Sequence, residues 1–408
     1  MYKLSKSSGT HNAVMAEQRK LVYIQTGSKV RPCYFELGAL TKAYIPEYRD
    51  DLFAYHHAVE QLEWLTEFSN KSDDLSVGRT PSIFYDRRII YHVTSPEGCR
   101  YKCNFPRSMD KLREGDAAVF STHFSAKEAA ELKARGVIIV FESGECPIFM
   151  PHISPEESSQ VDIFVSFMTA SPVPWIYPMF VRNVYPSLKF STEHISQMLS
   201  ANNTHLLPSY HKNRTKLIAW VVSNGHPSNN RIQYADALAQ FVSVDIYGRN
   251  GKLKLPDEGN PFQWLSRSYK FYLSFENSNC RQYITEKVQR NALSTGMVPI
   301  VLGAYKEDYE NALPPHSFIN VDDFASIQEL AEYLQFLDKN DTAYAQYFAW
   351  TKHGRITMLN RPDCRLCGVL QNVNEGNIFL RKPNPQHFID PRRLCFKRPL
   401  IPLRTTTS

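Results

Sequence analysis

Apolar positions in the second half of the chain come in short continuous runs rather than in alternation. Residues 217–222, 244–247, 271–275 and 298–302 are such runs, and each ends at a glycine or a polar, turn-rich stretch. Between them the spacing becomes helical. A helix over 231–242 would bury Ala235, Leu238 and Val242 on one face, and another over 285–294 would stop just before Gly296. Strands apolar on both faces and alternating with helices predict a parallel sheet covered on both sides, a Rossmann-like α/β domain.

The first half is less regular. Residues 117–120 and 137–141 read as strands joined by a helix over 126–135 that starts near Ser125 and ends at Gly136, one strand–helix–strand unit of a second such domain. Leu52, Ala54, His57, Leu62 and Leu65 have loose helical spacing over 52–68. The Pro- and aromatic-rich stretch 147–178 predicts loops with short strands, and the His- and Asn-rich stretch 200–212 an interdomain linker.

Length agrees with two domains, since 408 residues exceed what one core usually organises. The net charge of +6 is spread along the chain, not gathered in blocks, so nucleic acid is not the obvious partner, although a weakly basic surface would suit an anionic small molecule. No run approaches the ~18 apolar residues of a membrane span, and the polar N-terminal stretch lacks the apolar core of a signal peptide. Eight cysteines stand at 33, 99, 103, 146, 280, 364, 367 and 395. Cys364 and Cys367 form a C-x-x-C, which serves as a redox motif, half a zinc site or a short-range disulfide; no second pair at finger spacing accompanies it. N-glycosylation sequons begin at Asn70, Asn202, Asn213 and Asn340.

In an open parallel sheet ligands collect at the carboxyl ends of the strands. Two such corners are unusually polar. SNGHPSNNR ends with Arg231 at a helix start, where a guanidinium beside free backbone N–H groups is placed to clasp a phosphate. The bland reading is an exposed arginine in a first helical turn. FENSNCRQYITEK packs Glu276, Asn277, Tyr283, Glu286 and Lys287 between two apolar elements. With Thr285 as cap, Lys287 would neutralise a diphosphate and Glu286 accept from sugar hydroxyls; the competing reading is a capped helix with a solvated first turn. P-loop, G-x-S-x-G, H-E-x-x-H and Asp-x-Asp motifs are absent, and Asp322 and Asp323 are adjacent in a loop-like VDDF.

FYLSFENSNCRQYITEKVQRNALSTGMVPIVLGA, residues 271–304, closely resembles the donor-binding signature of the α1,3-fucosyltransferases. The likeness runs on through DYENALPPHSFINVDDFASIQELAEYL to YFAW, and upstream through WVVSNGHPSNNRIQYADAL and FVSVDIYGRNG; CRLC looks like the family's C-terminal Cys pair. The resemblance implies a GT-B fold, two Rossmann-like domains facing each other across a cleft. It implies an acceptor domain over 1–205, a GDP-fucose domain over 206–350 and a Cys-containing tail over 351–408 that packs back on both. The implied reaction is inverting transfer of fucose from GDP-fucose to a GlcNAc of an N-glycan or related glycan.

Matching positions give Arg231 and Lys287 as diphosphate contacts, and Asn277, Tyr283 and Glu286 as holders of the nucleotide or the fucose. The family's catalytic base is a Glu in a Glu-Ser-Pro-like motif after an N-terminal-domain strand. Here the segment is VIIVFESGECPIFM, where Glu145-Cys146-Pro147 fits better than Glu142-Ser143; the remaining reading is that neither carboxylate is catalytic. Many animal members of that family are stimulated by Mn²⁺, but the sequence offers no evident metal site, so the ion is expected to be dispensable and no cofactor required; the resemblance also implies a Golgi lumenal setting, family members being held there by an N-terminal anchor. Cys364 and Cys367 are expected to pair with each other or with nearby cysteines. The stretch SFMTASPVPWIYP keeps SPVPW but lacks the Arg and Asp usual there, which raises the alternative of a catalytically impaired paralogue that binds GDP-fucose or glycan without turnover.

Overall fold

The computed structural model describes residues 51–69, 71–86, 94–358 and 361–404, together with the backbone of 19–26 and 29–36. Asn70 lies outside the described residues, and of Cys33 only the backbone is described. Strands β1 (Arg19–Thr26) and β2 (Lys29–Glu36) form an antiparallel hairpin.

Two parallel sheets follow. The first joins β3 (Ile83–Tyr85), β4 (Ala117–Phe120), β5 (Ile138–Ser143) and β6 (Ile163–Ser166) in sequential order. Helix α1 (Ala126–Ala134) makes the crossover from β4 to β5; the Ser125 side chain caps it by accepting from Glu128 N–H, and Gly136 turns the chain at φ +76°. Then β7 (Met179–Arg182) leads into the second sheet: β8 (Lys216–Val221), β9 (Val244–Tyr247), β10 (Tyr269–Phe275), β11 (Val298–Leu302) and β12 (Ile319–Asn320). Its order is β12-β11-β10-β8-β9, parallel throughout. All seven residues of β10 and all five of β11 are buried, as central strands covered on both faces should be. The architecture is α/β with two parallel sheets, as the strand–helix alternation predicts.

The chain then returns. Strand β13 (Gly354–Thr357) pairs with β7, and helix α2 (Pro362–Asn374) lies on the first sheet, where Leu366, Val369 and Leu370 pack with Val119, Val140 and Ile163. Gly368 makes that packing possible: a Cβ there would stand 2.3 Å from Trp64 Cε3.

Several sequence-based boundaries shift for local reasons. The 52–68 helix breaks into His56–Glu60, a 3₁₀ turn Gln61–Trp64 and Thr66–Ser69, because Leu65 is extended and bridges to Cys99. Helix α3 is Arg231–Leu238, ending early as Gln240 and Phe241 tighten into i→i+3 turns. The 285–294 helix shrinks to Glu286–Gln289, since Asn291 N–H reaches back to Glu286 O in a widened turn before the 3₁₀ turn Leu293–Thr295. Residues 200–212 hold two 3₁₀ turns, with Leu206 and Leu207 packed on the second core, and 147–178 contains the helix Pro155–Gln160 as well as β6.

Cysteine pairing also departs from expectation. Cys364 and Cys367 do not join each other; they bond to Cys99 and Cys103, and Cys280 bonds to Cys395. The spacing explains why: on a helix, positions three apart share one face, and here that face lies against residues 99–103. Cys146 is a buried free thiol.

Candidate active site

The second sheet starts at β8, sends β9 to one side and β10 to the other, so its topological switch point lies between the carboxyl ends of β8 and β10. A crevice there is the ligand position of such sheets. Both polar corners of the sequence arrive at it. The loop after β8 ends in Arg231, and the loop after β10 carries Glu276 to Lys287.

Arg231 is buried, 3% exposed, and reaches across the crevice: Nη1 donates to Phe275 O at 3.1 Å and Nη2 to Asn224 O at 2.8 Å. Nε has no partner, and among the described residues no carboxylate lies within ion-pair distance. Burial pulls its pKa below the ordinary arginine value, an effect Glu276 opposes. A buried guanidinium held only by carbonyl oxygens retains its charge for an anion. Asn277 Oδ1 is likewise buried with no hydrogen-bond donor.

Lys287 is differently placed. Its Nζ sits 2.9 Å from Glu276 Oε2, 3.2 Å from Glu286 Oε1 and 2.7 Å from Thr285 Oγ1. Burial works against the ammonium, but Glu276 and then Glu286 outweigh it and hold Lys287 above the usual lysine range. Burial also raises Glu276, partly offset by Lys287, whereas Lys287 outweighs burial at Glu286 and holds that carboxyl down. Thr285 does not cap: its hydroxyl and its N–H both donate to Glu276. Glu276, wholly buried, therefore organises the corner, a role that local pattern did not assign. Gly303 permits its close approach, since a Cβ there would lie 2.7 Å from Glu276 Cβ.

The carboxyl ends of the two sheets meet across this crevice. Tyr283 Oη donates to Glu145 Oε2 at 2.9 Å, Cys146 Sγ to Ser278 Oγ at 3.1 Å, and Thr169 N–H to Gln282 Oε1 at 2.8 Å. Thr169 belongs to SFMTASPVPW, so the stretch that departs from the family pattern lies on this seam. Glu145 follows β5 and is half-buried. Glu142, 2% exposed, points to the opposite face, toward Asp363 and Arg365 of α2. The structure thus brings Glu145 to Tyr283 and keeps Glu142 under the C-terminal helix. The one trio of metal-ligating side chains among the described residues, Cys99, Asp363 and Cys364, has both sulfurs in disulfides.

Residues 211–382 match the sequence model described as glycosyltransferase family 10 (fucosyltransferase) C-term. Glycoprotein 3-alpha-L-fucosyltransferase A of Drosophila melanogaster is 46% identical over 177 residues, 43% of this chain and 34% of that one. A 4-galactosyl-N-acetylglucosaminide 3-alpha-L-fucosyltransferase of Homo sapiens is 40% identical over 215 residues, 52% of each chain. The chain spans about half the length, or less, of these curated relatives. A solved α1,3-fucosyltransferase with GDP-fucose is 17% identical with a TM-score of 0.47, covering 79% of this chain and 99% of that one. Across its second sheet and the helix that follows, residues 211–382, the chain is thus similar to the C-terminal part of the glycosyltransferase family 10 fucosyltransferases.

Proposed function

We propose that the protein is an inverting α1,3-fucosyltransferase that moves fucose from GDP-fucose to a GlcNAc hydroxyl of an N-glycan or related glycan. The observation that carries this reading is the pair of cations at the switch point, Arg231 with its unpartnered Nε and Lys287 between two carboxylates, opposite Glu145 on the facing domain. Relatives named as 3-alpha-L-fucosyltransferases support the same reading.

In this mechanism Glu145 takes the proton of the acceptor hydroxyl as its oxygen bonds to the anomeric carbon. The carbon–oxygen bond to the β-phosphate breaks on the opposite face, and the electron pair leaves with GDP. Charge grows on that phosphate as the sugar becomes oxocarbenium-like. Arg231 and Lys287 stabilise it where it develops, and their prior burial means they reorganise little during the step. A hydroxyl is a poor nucleophile at neutral pH without a base, which is the task of Glu145. Asn277 and Glu286 hold the nucleotide or the fucose, and Tyr283 orients Glu145 as well as bordering the donor.

The acceptor is held by the domain of the first sheet, residues 1–205, and the donor by 206–350, with 351–408 returning to both. No metal step enters this route. The three disulfides among the described residues fit an oxidising compartment, which supports a Golgi lumenal setting.

The test is a transfer assay with GDP-fucose and a panel of core-type and lactosamine-type N-glycans, with Glu145→Gln and Glu142→Gln in parallel. Fucosylated product lost only in Glu145→Gln is the expected result. No product from any acceptor by the unaltered protein would overturn the proposal.

A further inference from the structure

Residues 395–403 run along the carboxyl edge of the second sheet as a strap. Cys395 is bonded to Cys280, Phe396 N–H donates to Asn279 O, and Arg281 N–H to Leu394 O. Farther on, Tyr234 Oη donates to Pro399 O, and the first turn of the helix Ile327–Lys339 donates to Pro402 O and Leu403 O. The strap arrives from the first domain, where Phe388 stacks on Phe164 at 4.9 Å between ring centres.

At its middle, side chains alternate in one column. The Arg281 guanidinium lies 5.1 Å from the Tyr305 ring centre, Tyr305 stacks on Phe396 at 3.9 Å and 6°, and Arg398 lies 5.3 Å from Phe396. The two ends of the column are neutralised, Arg281 by Asp308 and Arg398 by Asp322, at 2.7 and 2.9 Å. Asp322 of the VDDF motif thereby has a use that is not metal binding.

The Arg398 guanidinium, its side chain 6% exposed, then spends its remaining donors on the donor loops. Nη1 reaches Asn279 Oδ1 at 3.3 Å and Gly303 O at 3.2 Å, and Nη2 reaches Ala304 O at 3.0 Å. Asn279 Oδ1 also accepts from Asn229 Nδ2 at 3.0 Å, and Asn229 Oδ1 accepts from Arg231 N–H. Gly303 is the residue against which Glu276, the partner of Lys287, is packed. One guanidinium therefore braces the loops of both candidate phosphate-binding cations, through Asn279 and Asn229 on one side and Gly303 on the other.

We propose that Arg398, delivered by the Cys280–Cys395 strap, is a positioning residue for the nucleotide diphosphate site. The proposal rests on the fucosyltransferase reading of that site. It touches neither donor nor acceptor, and acts by fixing the spacing between Arg231 and Lys287. A forked donor suits this task and a point-charge ammonium does not.

The test is calorimetric titration of the full chain with GDP, together with transfer kinetics. Arg398→Ala is expected to weaken GDP binding about tenfold or more, and Arg398→Lys to restore only part of it. Cys395→Ser should shift affinity in the same direction, because it loosens the strap that holds the Arg398 guanidinium in position without removing it. The KM for GDP-fucose should rise with the acceptor KM unchanged, a split that general loss of structure does not produce. GDP affinity unchanged in Arg398→Ala overturns the inference alone. Should that variant lose its near-ultraviolet circular dichroism, Arg398→Lys and Cys395→Ser decide by the same criterion. An unaltered protein that neither binds GDP nor transfers fucose overturns the donor-site reading, and the inference falls with it.

Discussion

The Tyr283 hydroxyl donates to Glu145 Oε2 at 2.9 Å, joining the loop after β10 of one sheet to the loop after β5 of the other. The ring of Tyr283 is buried and meets Phe167 edge-on at 5.1 Å between centres, so its position is set by packing in both domains. Glu145→Gln should reduce transfer by roughly 10²–10⁴-fold while GDP-fucose still binds. Tyr283→Phe should lower kcat less, because the carboxylate stays on its loop and loses only the hydroxyl that orients it. Unchanged kcat in Glu145→Gln would exclude this carboxylate as the base.

Lys287 and Glu276 form a buried pair at 2.9 Å with Glu276 wholly enclosed. Lys287→Ala removes a charge from the leaving-group side and should cost at least about tenfold in kcat/KM, or ~1.4 kcal/mol. It also leaves Glu276 buried without its cation, which costs about 3–5 kcal/mol when a buried pair is broken from one side. The double variant Glu276→Gln/Lys287→Met should therefore melt closer to the unaltered protein than Lys287→Ala does, yet remain inactive. Recovery of activity along with stability would mean that Lys287 serves the fold and not the diphosphate.

Transfer should persist in excess EDTA, since the proposed charge stabilisation comes from Arg231 and Lys287. Fucoside formation measured with and without chelator checks this, and loss on chelation restored by Mn²⁺ would require a metal in the step.

The corners after β8 and β10 were legible because each is a local device: an apolar strand, a polar loop and a helix start, all contiguous in sequence. What joins them was not. Glu276 was visible as a carboxylate, but its hold on Lys287 and Thr285 depends on the chain folding back over eleven residues. Arg398 carries no local signal, since its partners Asn279, Gly303 and Asp322 are distant along the chain. That Glu142 sits on β5 facing α2 while Glu145 follows the strand depends on strand register and length, which a short motif does not show. Helix ends were poorly marked in the sequence, because tertiary contacts such as Leu65 with Cys99 override local spacing.

Glu142 offers a test of pH dependence. Burial, and then Asp363, push its pKa from 4.5 up to about 8, with Arg365 opposing. The folded state then binds more protons than the unfolded state between those values. Stability linked to this group is complete below the unfolded pKa and is lost as pH rises through the folded one, with a slope of at most ~1.4 kcal/mol per pH unit. Urea melts at pH 5 and pH 8 should show a fall that Glu142→Gln reduces, and that variant should retain transfer. A Glu142→Gln protein with the same pH slope as the unaltered one would show that the carboxyl is already ionised in the fold.

Two disulfides tie α2 to residues 99–103. Either one alone closes a loop of some 265 residues, with separations of 265 and 264. Once one is formed, the other closes only a short ring through Cys99–Cys103 and Cys364–Cys367. Chain-entropy arithmetic assigns about 2–3 kcal/mol to such a short ring and about 5–6 kcal/mol to the long loop. Removing one pair should thus cost about 2–3 kcal/mol, and removing both about three times as much, well beyond the sum of the two single losses. Denaturation of Cys99→Ser/Cys364→Ser, Cys103→Ser/Cys367→Ser and the fourfold variant measures this directly. Additive losses would show that the two bridges constrain the unfolded chain independently. Non-reducing peptide maps of the unaltered protein should recover Cys99 with Cys364 and Cys103 with Cys367; a Cys364–Cys367 peptide would contradict the packing of α2 described above.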